Sequence, residues 1–242
     1  MEYLDRNCLT HAAGEVFRNQ QPYPWLMMRK TLTDGGFNRL CENMPQVSLF
    51  HRDIGVKRAF GQAPHDRFTL HYSQGLALPG PWSDFISELQ GETYQAFLHR
   101  MLGPTPFLLT FEWHYAWHGC SVSPHCDAAR KIATHLFYFN EGEWQAEWGG
   151  QTLIMDDERR FGTHSAPTFD ELREVAASDP SANNSLLFQR TAHSWHGVRP
   201  LNCPPGAMRR VFKVTVNTSN LQVWWRRVRG KDPDGFPMRR TV

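Results

Sequence analysis

A change of hydrophobic period at Pro106 constrains the fold more than any other feature of the chain. Beyond it Phe107, Leu109, Phe111, Trp113, Tyr115 and Trp117 alternate with Leu108, Thr110, Glu112, His114 and Ala116. Successive side chains of a strand point to opposite faces, so this period of two predicts a β-strand with one strongly aromatic face. Ile132 to Asn140, Gly150 to Met155, Ser185 to Arg190 and Arg209 to Asn217 are further strand candidates, separated by Gly, Pro and Asn. Ahead of Pro106 the spacing is helical. Trp82, Phe85, Ile86, Leu89, Phe97, Leu98 and Met101 predict one helix after Pro79-Gly80-Pro81, stopped by Gly103-Pro104. Leu26 to Leu32 reads as a strand entering a turn, with Thr33 or Asp34 capping a short helix that contains Phe37, Leu40 and Met44.

Short strands after a helical lead-in predict a mainly β fold with flanking helices and a double-stranded β-helix core of the jelly-roll or cupin-like kind. The expected division is a helix and strand support region over 1–104, the catalytic core over 105–220 and a basic tail over 221–242. Residues 156–184 interrupt the strands. There Thr168-x-x-Glu171 is a capping box followed by Leu172 and Val175, which predicts a short helix in a loop near the barrel mouth. Such a loop is equally a lid or a solvated insertion.

Composition narrows the class. Apolar residues at 40% and charged residues at 21% exclude global disorder, and a net charge of +2 argues against nucleic acid or a membrane as the main partner. No apolar run approaches the roughly 20 residues of a membrane span. Met1 to Thr10 has no apolar core of a secretion signal, and the five Cys contain no Cys-x-x-Cys pair. The expectation is a protein of the reducing cytoplasm.

Twelve His leave many candidates for chemistry. His125-Cys126-Asp127 lies beside a predicted strand, where residues i and i+2 share a face with Cα atoms about 6–7 Å apart. An imidazole and a carboxylate so placed can converge on one metal. A His from a distant strand would complete a two-His, one-carboxylate face with open positions, which points to non-haem Fe(II). The pattern alone is weak, since His51-Arg52-Asp53 repeats it in a charged segment. Downstream, Ser194-Trp195-His196-Gly197-Val198 offers the third ligand. In the last strand Arg210, Phe212, Val214 and Val216 form an apolar face expected to point inward, against Arg209, Val211, Lys213 and Thr215 on the other. That alternation favours Arg210 over Arg209 as a buried guanidinium in need of a carboxylate.

The ordered set His125-x-Asp127, Trp148-Gly149-Gly150, Ser194-x-His196-x-Val198 and Arg210 resembles the Fe(II)- and 2-oxoglutarate-dependent dioxygenases, in their prolyl-4-hydroxylase-like branch. The likeness spans roughly residues 20–220, with its specific motifs within 113–217. It implies that His125, Asp127 and His196 bind iron, with His196 preferred to His193 because the family motif ends His-x-Val. It implies that Arg210 pairs with the distal carboxylate of 2-oxoglutarate and that Tyr115 either contacts this cosubstrate or fills the core. O2 would then be consumed with release of succinate and CO2. Asp127 stands where halogenating relatives carry a small residue, so hydroxylation is favoured over halogenation.

Other readings have less behind them. His114 and His118 stand i, i+4, about 13 Å apart on a strand, which disfavours a zinc site with Cys120. There is no G-x-S-x-G elbow and no phosphate-binding glycine motif. A non-redox cupin-like metal protein or isomerase would not need Arg210. The tail, with Trp224-Trp225-Arg226-Arg227, could stack on nucleic acid but reads more readily as a solvated segment. The chain shows no peptide-binding extension, which favours a small-molecule or amino-acid-type substrate over a protein.

Overall fold

The alternation beyond Pro106 becomes one long strand, Phe107–Ala116, paired along its whole length with Arg209–Thr218. The computed structural model describes residues 2–140, 142, 144–219, 224–225 and 228–229, so most of the basic tail, including Arg226 and Arg227, lies outside the described residues. The helices are α1 (Arg6–His11), α2 (Gly14–Asn19), α3 (Asp34–Glu42), α4 (Gly80–Leu89) and α5 (Glu92–Leu102). The strands are β1 (Trp25–Arg29), β2 (His51–Asp53), β3 (Arg67–His71), β4 (Phe107–Ala116), β5 (Val122–His125) and β6 (Lys131–Tyr138), followed by β7 (Leu153–Asp156), β8 (Arg173–Ala177), β9 (Asn184–Gln189), β10 (Trp195–Val198) and β11 (Arg209–Thr218). Seven strands in the order β1-β9-β6-β11-β4-β3-β2 make one antiparallel sheet, and β5-β10-β7-β8 make a second. This is the double-stranded β-helix.

The helices cover the outer face of the larger sheet. Trp82, Phe85, Tyr94, Phe97 and Met101 of α4 and α5 pack on Phe111, Trp113, Phe137 and Phe212 in one buried cluster. Fully burying such side chains contributes about 1.5–3 kcal/mol each, which makes this layer the main source of stability. Thr33 caps α3, its Oγ1 accepting from the Gly36 amide at 3.1 Å. The single helix expected over 82–101 is two. Gly91 is extended and caps α5, and the break falls in the gap between Leu89 and Phe97 in the apolar spacing.

Two further expectations are corrected. The apolar face of β11, with Phe212, Val214 and Val216, joins the helix cluster rather than the barrel interior. The inner face is the polar one, carrying the buried Arg209, Lys213 and Thr215, and only Val211 of that row joins the interior cluster with Leu136, Tyr138 and Phe188. In 156–184 the capping box forms at Thr168 and Glu171 but closes a single turn. The chain then runs on as the edge strand β8, with Val175 exposed. No described helix is long and apolar enough to cross a membrane.

Candidate active site

Strands β5 and β10 are neighbours in the smaller sheet, and their register sets His196 directly opposite His125. The imidazole centroids lie 4.3 Å apart. Asp127 follows in the turn after β5, and one donor atom from each of His125, Asp127 and His196 lies within 4.8 Å of the others. Each imidazole is oriented by its own strand. His125 Nδ1 bonds the Ser123 carbonyl at 3.0 Å and His196 Nδ1 bonds the Ser194 carbonyl at 2.9 Å. With Nδ1–H donating, each Nε2 is left as the lone-pair nitrogen, the arrangement a metal-ligating His requires.

Asp127 is buried. Burial alone would raise its pKa, but Lys131, His196, Lys213 and His125 together hold its carboxyl well below the usual carboxylate range. Its Oδ1 accepts from Lys131 Nζ and its Oδ2 from Thr134 Oγ1, both at 2.8 Å. Burial holds both His125 and His196 below their usual pKa, His125 well below, and two imidazoles so close resist joint protonation, so both are neutral at pH 7. Two neutral nitrogens and one carboxylate, already oriented, fit a divalent metal of the Fe(II) class.

His193, the rival third ligand, is elsewhere. Its Nδ1 bonds Oδ2 of the buried Asp157 at 2.9 Å, which ties the 190–194 turn to the loop after β7. His51 and Asp53 lie on the sheet edge in β2 and bond each other at 3.2 Å, and no third His, Cys or carboxylate among the described residues joins them in a metal-sized cluster. Tyr115 and Arg210 sit opposite one another on the outer face of β4 and β11. The Tyr115 hydroxyl donates to the Pro45 carbonyl at 3.1 Å and its ring stacks on Phe50, so it is the core aromatic rather than a barrel-lining group. Arg210 lies over the Tyr115 ring on that same face.

The inward guanidinium is Arg209. Its Nε donates to the Gly150 carbonyl at 2.7 Å and an Nη to Thr152 Oγ1 at 3.2 Å, and its charge lies over the Tyr138 ring. None of these partners is a carboxylate. Arg209 lines a small pocket with Arg67, His114, Val122 and Val198, the last two standing on β5 and β10 near His125 and His196. By contrast Lys213, on the same inner face, is paired with Glu112, which His71 also contacts.

The segment between β2 and β3 runs along β5 as a strap. His65 bridges to Val122, His65 Nε2 bonds Ser123 Oγ at 3.2 Å, and Ser123 Oγ donates to the Ala63 carbonyl at 2.9 Å. The His65 ring lies 4.3 Å from His125. The strap also meets the loop after β7. Phe60 stacks on His164 at 4.2 Å, and Gln62 Nε2 donates to the Ser165 carbonyl at 3.2 Å. His65, Lys131 and Tyr138 were not singled out in the sequence because none belongs to a spaced motif. For Arg209 a signal existed: both central strands carry one largely apolar face, with Phe111 and Trp113 in β4 and Phe212, Val214 and Val216 in β11, and a helix-covered sheet turns that face outward.

Residues 112–217 match the sequence model of the 2OG-Fe(II) oxygenase superfamily. Among solved structures the chain resembles a Pseudomonas putida prolyl-4-hydroxylase (TM-score 0.58, 16% identity, covering 86% of this chain and 99% of that one). It resembles a Trichoplax adhaerens prolyl hydroxylase solved with a hypoxia inducible factor peptide fragment (0.59, 15%, 84% and 88%). It also resembles SnoK, a non-heme alpha ketoglutarate dependent carbocyclase from nogalamycin biosynthesis (0.62, 12%, 98% and 96%). At such identities the likeness is one of fold. No curated protein matches by sequence.

Proposed function

We propose that this chain, whose residues 112–217 match the sequence model of the 2OG-Fe(II) oxygenase superfamily, is a 2-oxoglutarate-dependent dioxygenase that hydroxylates an unactivated C–H bond of a small amino-acid-type or natural-product substrate, in preference to a peptidyl one. The observation that carries the reading is the convergence of His125, Asp127 and His196, with both Nδ1 atoms already committed to backbone carbonyls. These three residues hold Fe(II). Bound together, the metal, 2-oxoglutarate and O2 supply an oxidant able to break a strong C–H bond, one oxygen atom entering the substrate and the other the succinate formed with CO2.

The chain's own residues bind, orient and exclude. The Ser123 and Ser194 carbonyls fix the two imidazoles, and Lys131 and Thr134 fix Asp127. Arg209 takes the distal carboxylate of 2-oxoglutarate. It is buried on the inner face of β11 among neutral acceptors, and a buried guanidinium in that state gains most from an anionic partner. Thr152 Oγ1 accepts from both Arg209 and the Tyr138 hydroxyl, which fixes the guanidinium from one side. The retained carboxylate of Asp127 favours hydroxylation over halogenation, since it leaves no ligand position to a halide.

An anaerobic titration with Fe(II) and 2-oxoglutarate tests this. A visible charge-transfer band should appear only with both present, vanish in His125→Ala, and need at least about tenfold more 2-oxoglutarate in Arg209→Ala. A well-folded protein without the band would refute the reading.

A further inference from the structure

The cations facing the candidate site are unequally paired. Lys131 is neutralised by Asp127 and Lys213 by Glu112. Arg209, assigned above to the distal carboxylate of the cosubstrate, lines a small pocket with Arg67 and Asp66. That leaves Arg58. Its side chain is half-buried in the strap, and its hydrogen bond is a long one, 3.5 Å from Nε to the neutral Gln62 Oε1. No carboxylate among the described residues pairs with it.

Its surroundings are the strap, whose His65 ring lies 4.3 Å from that of His125. The strap is stitched to β5 through the His65–Val122 bridge and the bonds of Ser123 to Ala63 and His65. The Arg58 charge is close enough to Asp127 and to His125 for each pair to act on one another, and it also bears on His65. Gln62, which Arg58 contacts through Oε1, is itself held through its Nε2 by the Ser165 carbonyl. One wall of the site is therefore continuous from the strap to the loop after β7, with the Phe60–His164 stack as its outer seam. A guanidinium held in such a wall, part desolvated and without an acid, costs free energy until an anion arrives.

We propose that Arg58 is the substrate-binding group of this site, and that the primary substrate carries a carboxylate which pairs with it beside His125. The planar fork suits a carboxylate in two-point contact, and the joined loops suit a small acid better than a chain passing through the site. The proposal rests on the oxygenase reading above and names the class of molecule that would be oxidised.

The test uses the full chain loaded with Fe(II) and 2-oxoglutarate, with the free L-amino acids and their C-terminal amides as probes. Two quantities are read: perturbation of the anaerobic charge-transfer band on adding each probe, and succinate formed in air above the rate without probe. At least one acid should perturb the band and stimulate succinate, with its amide at least about tenfold weaker. Arg58→Gln should raise the concentration of that acid needed for either response by about 100-fold, with partial recovery in Arg58→Lys and no change in Lys57→Gln, an exposed neighbour. Amides as effective as acids, an Arg58→Gln protein that responds normally, or silence from every acid while the band is intact would each overturn the proposal. Absence of the band in the wild type is a different result, which removes the oxygenase reading itself.

Discussion

The two faces of the seven-stranded sheet are built to opposite rules. Outward, β4, β6 and β11 present Phe111, Trp113, Phe137 and Phe212 to α4 and α5, with Trp82 standing 5.1 Å from Phe212 and 5.2 Å from Trp113. Inward, the same strands present Glu112, Lys131, Thr134, Arg209 and Lys213, all buried. The outer face supplies the free energy of burial. The inner face spends part of it on desolvated charge, each ion there matched to a neighbour or awaiting a ligand. Stability and chemistry are thus separated by the thickness of one sheet.

Substitutions that break this division should behave differently on the two sides. The largest effect is expected from Asp127→Ala on the inner face. It should cut 2-oxoglutarate turnover by at least about 1000-fold, measured as succinate, because a metal ligand is lost. It also removes the carboxylate that faces the buried Lys131, so a fall in Tm should accompany it. Normal turnover in that variant would dissolve the assignment of the site.

Phe212→Ala on the outer face should do the reverse. Phe212 is fully buried against five other aromatic rings, and its loss should cost about 3–5 kcal/mol in denaturant unfolding. The folded fraction should keep its affinity for 2-oxoglutarate. A smaller effect, sharper as a comparison, separates the two adjacent arginines. Arg209→Ala should raise the KM for 2-oxoglutarate by about 10–100-fold, whereas Arg210→Ala, on the helix side of the same strand, should leave it within about twofold. Equal effects would mean that strand orientation does not decide the role.

That pair of arginines marks where sequence reading stops. Strand existence was legible from the period of two in 107–117 and 209–217, and the convergence of His125, Asp127 and His196 from the ordered His-x-Asp and downstream His. Which face turns inward was not, because alternation is symmetric: it reports two faces and says nothing of what covers them. The usual assumption, apolar inward, inverts when helices cover one face and the barrel must hold charged groups. The 156–184 segment failed for a related reason. A capping box satisfies the first amides of any helical turn, yet it does not compel continuation, and from Arg173 the chain pairs with β7 instead. His65 was illegible altogether, since its place beside His125 depends on a bridge between residues 57 positions apart.

The smallest prediction tests the dry face by pH. His135 sits on the outer side of β6, fully buried, with its Nδ1 2.8 Å from the Tyr94 hydroxyl. Burial pushes its pKa down from 6.5 to about 3. The unfolded chain therefore binds a proton between these values that the folded chain does not. By linkage, the stability this residue allows is complete above pH 6.5 and is lost as the pH falls toward 3, amounting to about 2 kcal/mol at pH 5. His135→Gln keeps an acceptor for Tyr94 and cannot take up a proton. Its Tm should therefore fall less steeply than that of the wild type between pH 7 and pH 5, whatever its starting value. Other buried histidines, His114 among them, contribute to both slopes and cancel in the difference. Parallel slopes would mean that water reaches His135, and the division between a dry outer face and a charged inner one would then fail at the strand that carries both.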